Sequence, residues 1–228
     1  MGNNSFHTGG QLMTKLKQMQ KIEHSGVVAI IRASNPSLLI EVVDAIQAGG
    51  IDVIEITMTT PNALGVLEEA VTKFGDGILF GVGSVLDAET ARISILSGAE
   101  FVVSPVTKPD VVETCNRYGK VVMPGAFTPT EILTAWEMGA DYVKVFPSSI
   151  AGARHIKEIK APLPQIQLVA TGGITIDNAG EFIAAGSSAL GVGSGLINQE
   201  IIAERKFETL TKNANRLIQV VQKARNSA

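Results

Sequence analysis

A lone cysteine, Cys115, rules out a disulfide within the 228-residue chain and fits reducing, cytoplasmic surroundings. Charge is scarce as well. Asp, Glu, Lys and Arg make up 18% of the residues, below the ~25% usual for soluble proteins, as expected where few elements lie wholly at the surface. The nineteen basic residues are scattered and the net charge is −3, so there is no basic stripe to grip a nucleic acid. No apolar run approaches the ~18 residues of a membrane span, which argues against a membrane partner. Residues 1–10 have neither the basic nor the apolar region of a signal peptide. They are expected to be a disordered lead to one domain over 11–228. The three histidines, His7, His24 and His155, show no metal-ligand spacing, so no metal is expected; the expected cofactor is none.

What the chain has in plenty is short apolar runs, each followed by a turn and an amphipathic stretch. The runs are VVAIIR (27–32), DVIEIT (52–57), ILFGVGS (78–84), FVVSP (101–105), VVMPGA (121–126), YVKVFP (142–147), IQLVATGG (166–173) and ALGVGSG (189–195). Runs this short and this rich in Val and Ile predict strands buried on both faces of a parallel sheet. Pro36, Pro61, Pro109 and Pro129 stand where first helical turns would begin, with Thr60, Thr128 and Asp177 as N-cap candidates. Gly49-Gly50, Gly98, Gly119, Gly139 and Gly186 stop the helices before the next strand.

Strand–helix alternation demands parallel strands with right-handed crossovers. Eight such units predict an α/β fold of the (β/α)8 barrel type. An open doubly wound sheet would carry its glycine-rich turn after the first strand. Here that strand ends Arg32-Ala33-Ser34-Asn35, and the glycine-rich turns come last. Residues 11–25 are expected to form an extra N-terminal helix that plugs the barrel, and the eighth helix is expected from Lys206 to Lys223.

Reactive groups of such a barrel sit at the C-terminal ends of its strands. Side chains alternate faces along a strand, so Ile54 and Ile56 take the helix side and Glu55 points inward. The same alternation sends Lys144 and Phe146 inward and leaves Arg32 inside at the end of the first run. An ion-pair cluster that merely fills the barrel is the bland alternative, but desolvation makes it a poor source of stability. A lysine amine in apolar surroundings suits attack on a carbonyl, and the resulting iminium draws electrons from a neighbouring C–C bond. Glu55 is then the natural proton shuttle. The turns Thr171-Gly172-Gly173 and Gly191 to Gly195 suit a phosphate held by backbone N–H groups, with hydroxyls from Thr171 and Ser194 and a helix N-terminus near Asp177. Two rival readings share these loops: an isomerase or epimerase using Glu55 as base, and a non-catalytic sugar-phosphate binder.

The set EITMTTP (55–61), GVGSV (81–85), SP (104–105), MPG (123–125), KVFP (144–147), TGG (171–173) and GVGS (191–194) resembles the 2-keto-3-deoxy-6-phosphogluconate aldolases, also called the KDPG/KHG aldolase family. The resemblance runs from about residue 20 to the C-terminus. It implies a class I aldolase that releases pyruvate and glyceraldehyde 3-phosphate from 2-keto-3-deoxy-6-phosphogluconate or a close epimer, or glyoxylate and pyruvate from 4-hydroxy-2-oxoglutarate. It further implies a Schiff base on Lys144, acid/base catalysis by Glu55, and a phosphate held by Thr171, Gly172, Gly173, Gly193 and Ser194. Pro105 and Phe146 would line the pyruvyl pocket, and Ser84 would meet the pyruvate carboxylate. Many relatives carry arginine where this chain has Thr59, which leaves the carboxylate to Arg32. FPSS followed by Gly152 also resembles the branch acting on the galactonate epimer. A homotrimer is a further implication.

Overall fold

The computed structural model describes residues 14–32 and 38–227, apart from the side chain of Gln199. The expected lead at 1–10 and the helix start at Pro36 lie outside these residues. All eight apolar runs contain strand: β1 (Val27–Ile31), β2 (Val53–Thr57), β3 (Leu79–Gly83), β4 (Phe101–Val103), β5 (Val121–Met123) with β6 (Gly125–Ala126), β7 (Val143–Val145), β8 (Leu168–Thr171) and β9 (Ala189–Val192). β5 and β6 are one run broken at Pro124, whose missing N–H interrupts the ladder. The sheet order is β5-β4-β3-β2-β1-β9-β8-β7-β6, and every pairing is parallel. Because its two ends are neighbours in sequence, the sheet closes on itself. The fold is a (β/α)8-type barrel.

Strand parity divides the apolar residues into two cores. The outer one includes Val27, Ala29, Ile31, Ile54, Ile56, Val143 and Val145, packed under the helices. The inner one fills the lower barrel with Val28, Val53, Leu79, Phe101, Met123, Tyr142 and Val169, and Ile22 joins it from α1 (Lys15–Ser25). The plug is polar as well as apolar. Gln18, fully buried on α1, accepts the N–H of Val121, and the Tyr142 hydroxyl donates to the Met19 carbonyl. With its lower half filled, the barrel has room only at the C-terminal ends of the strands.

The outer helices are α2 (Leu39–Ala48), α3 (Ala63–Phe74), α4 (Ala88–Leu96), α5 (Pro109–Arg117), α6 (Pro129–Glu137), α7 (Gly152–Lys160), α8 (Ala179–Ala184) and α10 (Phe207–Asn226), with a short α9 (Gln199–Ala203) that the sequence reading did not anticipate. Pro109 and Pro129 take first-turn positions. Thr128 forms a capping box with Glu131, whose carboxyl is held below its usual range by the N–H groups of Thr128 and Phe127. Two expected caps are displaced. Asn62, not Thr60, precedes α3, and Asn178, not Asp177, precedes α8. Thr60 instead turns its hydroxyl toward Thr57, and the chain runs through Pro61 before the helix begins. Among the described residues no helix is long and apolar enough to cross a membrane.

Candidate active site

A cavity of about 460 Å³ opens at the C-terminal ends of β1, β2, β7, β8 and β9. Glu55 and Lys144 reach it from the middle of their strands and are 3% and 7% exposed. Register explains their shared depth: Glu55 pairs with Ile30 on β1, while Lys144 pairs with Gly125 and Val169 on its two sides. Neither side chain has a hydrogen-bond or ion-pair partner among the described residues. The Lys144 ammonium is instead 5.1 Å from the centre of the Phe146 ring. A cluster built to add stability would pair its charges directly. Here they are buried and left open to the cavity, the arrangement expected of groups that await a substrate.

Burial raises the Glu55 pKa, and the charges of Lys144 and Arg32 pull it back only in part. A carboxyl so placed holds its proton nearer neutral pH than a surface glutamate does, as a group that both donates and accepts must. Arg32 also lines the cavity. It sits one residue beyond β1 and is exposed at the rim, not enclosed by the strand as its parity suggested.

Opposite Glu55 the wall is made of main chain. Gly172 and Gly173 take φ of 94° and 72°, a region open to glycine at little steric cost. The N–H groups of Gly172, Gly173 and Ser194 are donated to no acceptor among the described residues, so this corner presents donors suited to an anion. Gly193 and Ser194 line the same corner. Thr171 differs from its neighbours, because its N–H is taken by the Ser148 hydroxyl at 3.1 Å, which leaves only its side chain to offer. The helix expected near Asp177 begins beside this corner: Asn178, which precedes the six-residue α8, donates its side-chain amide to the Gly173 carbonyl at 2.9 Å.

Three expected site residues lie outside the cavity lining. Thr59 is exposed beyond β2, its hydroxyl 2.9 Å from that of Thr57. Ser84 follows β3 with φ 62°, a left-handed conformation that costs a non-glycine residue ~1–2 kcal/mol and is often kept at functional sites. Pro105 follows β4 and presses against Gly125, where a Cβ would come within 2.3 Å of the Pro105 carbonyl. Conversely, sequence reasoning missed Ile30, Ile174, Ile197 and Asn198, which line the cavity, and Ser148, which braces its floor. Ser148 donates to Val145 O at 2.8 Å while accepting from Thr171. Their spacing carried no signal, since three are apolar residues among many and Asn198 reads simply as a helix cap, a role it also fills for Ile201.

The family model described as KDPG and KHG aldolase matches residues 18–213. The 2-dehydro-3-deoxy-6-phosphogalactonate aldolase of Escherichia coli (strain K12) is 36% identical over 180 residues, 78% of this chain and 88% of its own length. A solved structure described as native KDPGal superposes with a TM-score of 0.82 at 32% identity, over 88% of this chain and 96% of its own. The KDPG aldolase of Legionella pneumophila, solved with pyruvate captured at low pH as a covalent carbinolamine, also gives a TM-score of 0.82, at 26% identity over 88% of this chain and 97% of its own.

Proposed function

Because the chain belongs to the KDPG and KHG aldolase family and is an aldolase, we propose that it cleaves a phosphorylated 2-keto-3-deoxy sugar acid through an imine on Lys144. The observation that carries this reading is the pair of buried, unpartnered groups, Lys144 and Glu55, facing a corner of free main-chain donors. Lys144 Nζ attacks the C2 carbonyl to give a carbinolamine; Glu55 protonates its hydroxyl, which leaves as water, forming the protonated imine and the Glu55 carboxylate. The Glu55 carboxylate takes the proton of the C4 hydroxyl, the C3–C4 bond breaks, and its electron pair enters the imine to leave an enamine. Glyceraldehyde 3-phosphate departs. Glu55 returns its proton to C3, and water releases pyruvate and the free amine. Arg32 at the rim and Ser84 beside β3 serve the carboxylate; Gly172, Gly173 and Ser194 hold the phosphate through N–H groups, and the Ser194 hydroxyl adds a side-chain contact to it.

The galactonate epimer is the preferred substrate in this proposal, supported by the 36% identity to the galactonate-type enzyme. Turnover of both phosphorylated epimers and of 4-hydroxy-2-oxoglutarate, followed by pyruvate release, tests it. A higher kcat/KM for the gluconate epimer would reverse the preference, and no turnover of any of the three would remove the reaction. Borohydride reduction with pyruvate, followed by peptide mapping, tests the imine separately: the adduct belongs on Lys144.

Ser194→Ala is expected to raise KM for phosphorylated substrate ~3–30-fold with kcat little changed, because a phosphate contact binds ground and transition states alike. Steady-state kinetics with 4-hydroxy-2-oxoglutarate alongside supply the check, since an equal rise on that unphosphorylated acid would move Ser194 off the phosphate.

A homotrimer completes the proposal. It is supported by Leu86, Ile93, Leu96 and Val106, large apolar side chains 47–67% exposed around α4 and the loops beside it, the kind of surface that association covers. Light scattering should give three times the 24.0 kDa chain mass; a monomer mass at micromolar concentration would refute the trimer.

A further inference from the structure

Glycine occupies two inward positions of β3, Gly81 and Gly83, in the middle of a closed sheet, where it weakens a strand and usually marks a close approach by something else. Gly81 makes room for an aromatic ring: a Cβ there would lie 2.4 Å from Phe101 Cδ2. Gly83 makes room for the acid. A Cβ at Gly83 would lie 1.7 Å from Glu55 Oε1, 2.3 Å from its Cδ and 2.8 Å from its Cγ. The φ of Gly83 is not left-handed, so backbone conformation is not what calls for glycine here. Register sets Gly83 beside Thr57 and Gly81 beside Glu55. Glu55 therefore leans from β2 across the upper end of β3, into volume that any side chain at 83 would take.

We infer that Gly83 is a positioning residue for the aldol reaction, its bare Cα fixing where the Glu55 carboxylate stands in the cavity. This rests on Glu55 being the proton-transfer group. The obstruction that a methyl at 83 would create is with the far end of a flexible side chain, so the chain relieves it by moving that side chain and leaves the barrel intact. Gly195 and Gly125 lack this selectivity. A Cβ at Gly195 would lie 2.0 Å from the Ile174 carbonyl oxygen, and one at Gly125 within 2.3 Å of Pro105 main chain; there the backbone itself must shift. Gly83 is thus a point where one added methyl separates catalysis from folding.

The experiment compares Gly83→Ala, Glu55→Gln, Glu55→Asp, the double variant Gly83→Ala/Glu55→Asp, and Val82→Ala as a control from the outer face of the same strand. Gly83→Ala is expected to lower kcat about 100-fold, the scale of an ångström's misplacement of a catalytic group, with KM within about threefold. The pH profile of kcat should shift in the limb that Glu55→Gln removes. Val82→Ala should lose thermal stability and keep its profile. The shorter acid fits beside an alanine, so the double variant should be at least as active as Gly83→Ala alone, although Glu55→Asp by itself slows the enzyme. Parent-like kcat and pH profile in Gly83→Ala, with Glu55→Gln impaired, would overturn the inference and leave the role of Glu55 standing. Parent-like activity in Glu55→Gln would instead remove that role. Should Gly83→Ala fail to fold, a folded double variant still shows the two side chains competing for one space; misfolding of both overturns the inference.

Discussion

Lys144→Ala is expected to abolish aldol cleavage, lowering kcat by about 10⁴–10⁶-fold, the range found when a covalent nucleophile is removed. No other lysine among the described residues lines the cavity, so none stands ready to form the imine in its place. Lys120, also buried, is spent on an ion pair with Glu100 at 2.8 Å, at the N-terminal side of the barrel. Lys160 donates to the carbonyls of Pro164 and Ile166, and burial lowers its pKa, yet it lies on an outer helix. Borohydride with pyruvate should therefore label the parent once and the variant not at all. Lys144→Met keeps more of the side-chain volume against Phe146 and isolates the loss of the amine from the loss of packing. Both variants should fold, because removing a buried amine that has no protein partner sacrifices no hydrogen bond or ion pair. If Lys144→Ala kept even a hundredth of parent activity, the covalent route would be wrong and Glu55 would be left to act on an unlinked substrate, as in an isomerase.

The core of this site was legible in the sequence because strand parity is a period of two, and a lysine or glutamate between two branched apolar residues has one face left to take. Ile54 and Ile56 fix Glu55 in this way, and Val143 and Val145 fix Lys144. Parity says less at strand ends. Arg32 follows the last paired residue of β1; it lines the cavity as parity expects but stands exposed at the rim instead of enclosed. Thr59 and Ser84 belong to turns, where direction depends on φ and ψ at single residues, as the φ of 62° at Ser84 shows. Helix starts were legible where proline and a capping side chain agreed, as at Thr128-Pro129. They slipped where Thr60 found a hydroxyl partner in Thr57 instead of an amide. Gly83 was visible as a letter in a motif, but only the path of the Glu55 side chain gives it a purpose.

Glu55→Gln is expected to do two opposite things, slowing the enzyme by ~10²–10⁴-fold and making the protein more stable at neutral pH. The kinetic loss follows from removing the group that moves the proton at the C4 hydroxyl and at C3; imine formation with pyruvate should stay detectable. The gain in stability follows from burial. Glu55 has a raised pKa in the folded protein, relative to a model value of 4.5. Below about pH 4.5 the carboxyl is protonated whether the chain is folded or not, and its burial carries no ionic penalty. As pH rises from there toward the folded pKa, the unfolded chain ionises first, the folded state binds more protons, and stability falls. Glutamine has no proton to lose, so its advantage is small near pH 4.5 and grows until the folded pKa is passed. The attraction of Lys144 and Arg32 for the ionised carboxylate works against this, but burial is the larger effect. Urea unfolding of parent and variant between pH 5 and pH 8 measures the difference. A gain that widens with pH, alongside the fall in kcat, means that the barrel holds Glu55 at a cost to its own stability for the sake of proton transfer. A variant destabilised most at pH 8 would show the ionised carboxylate to be paired after all, most simply with the Lys144 ammonium, and would return Glu55 to a structural role.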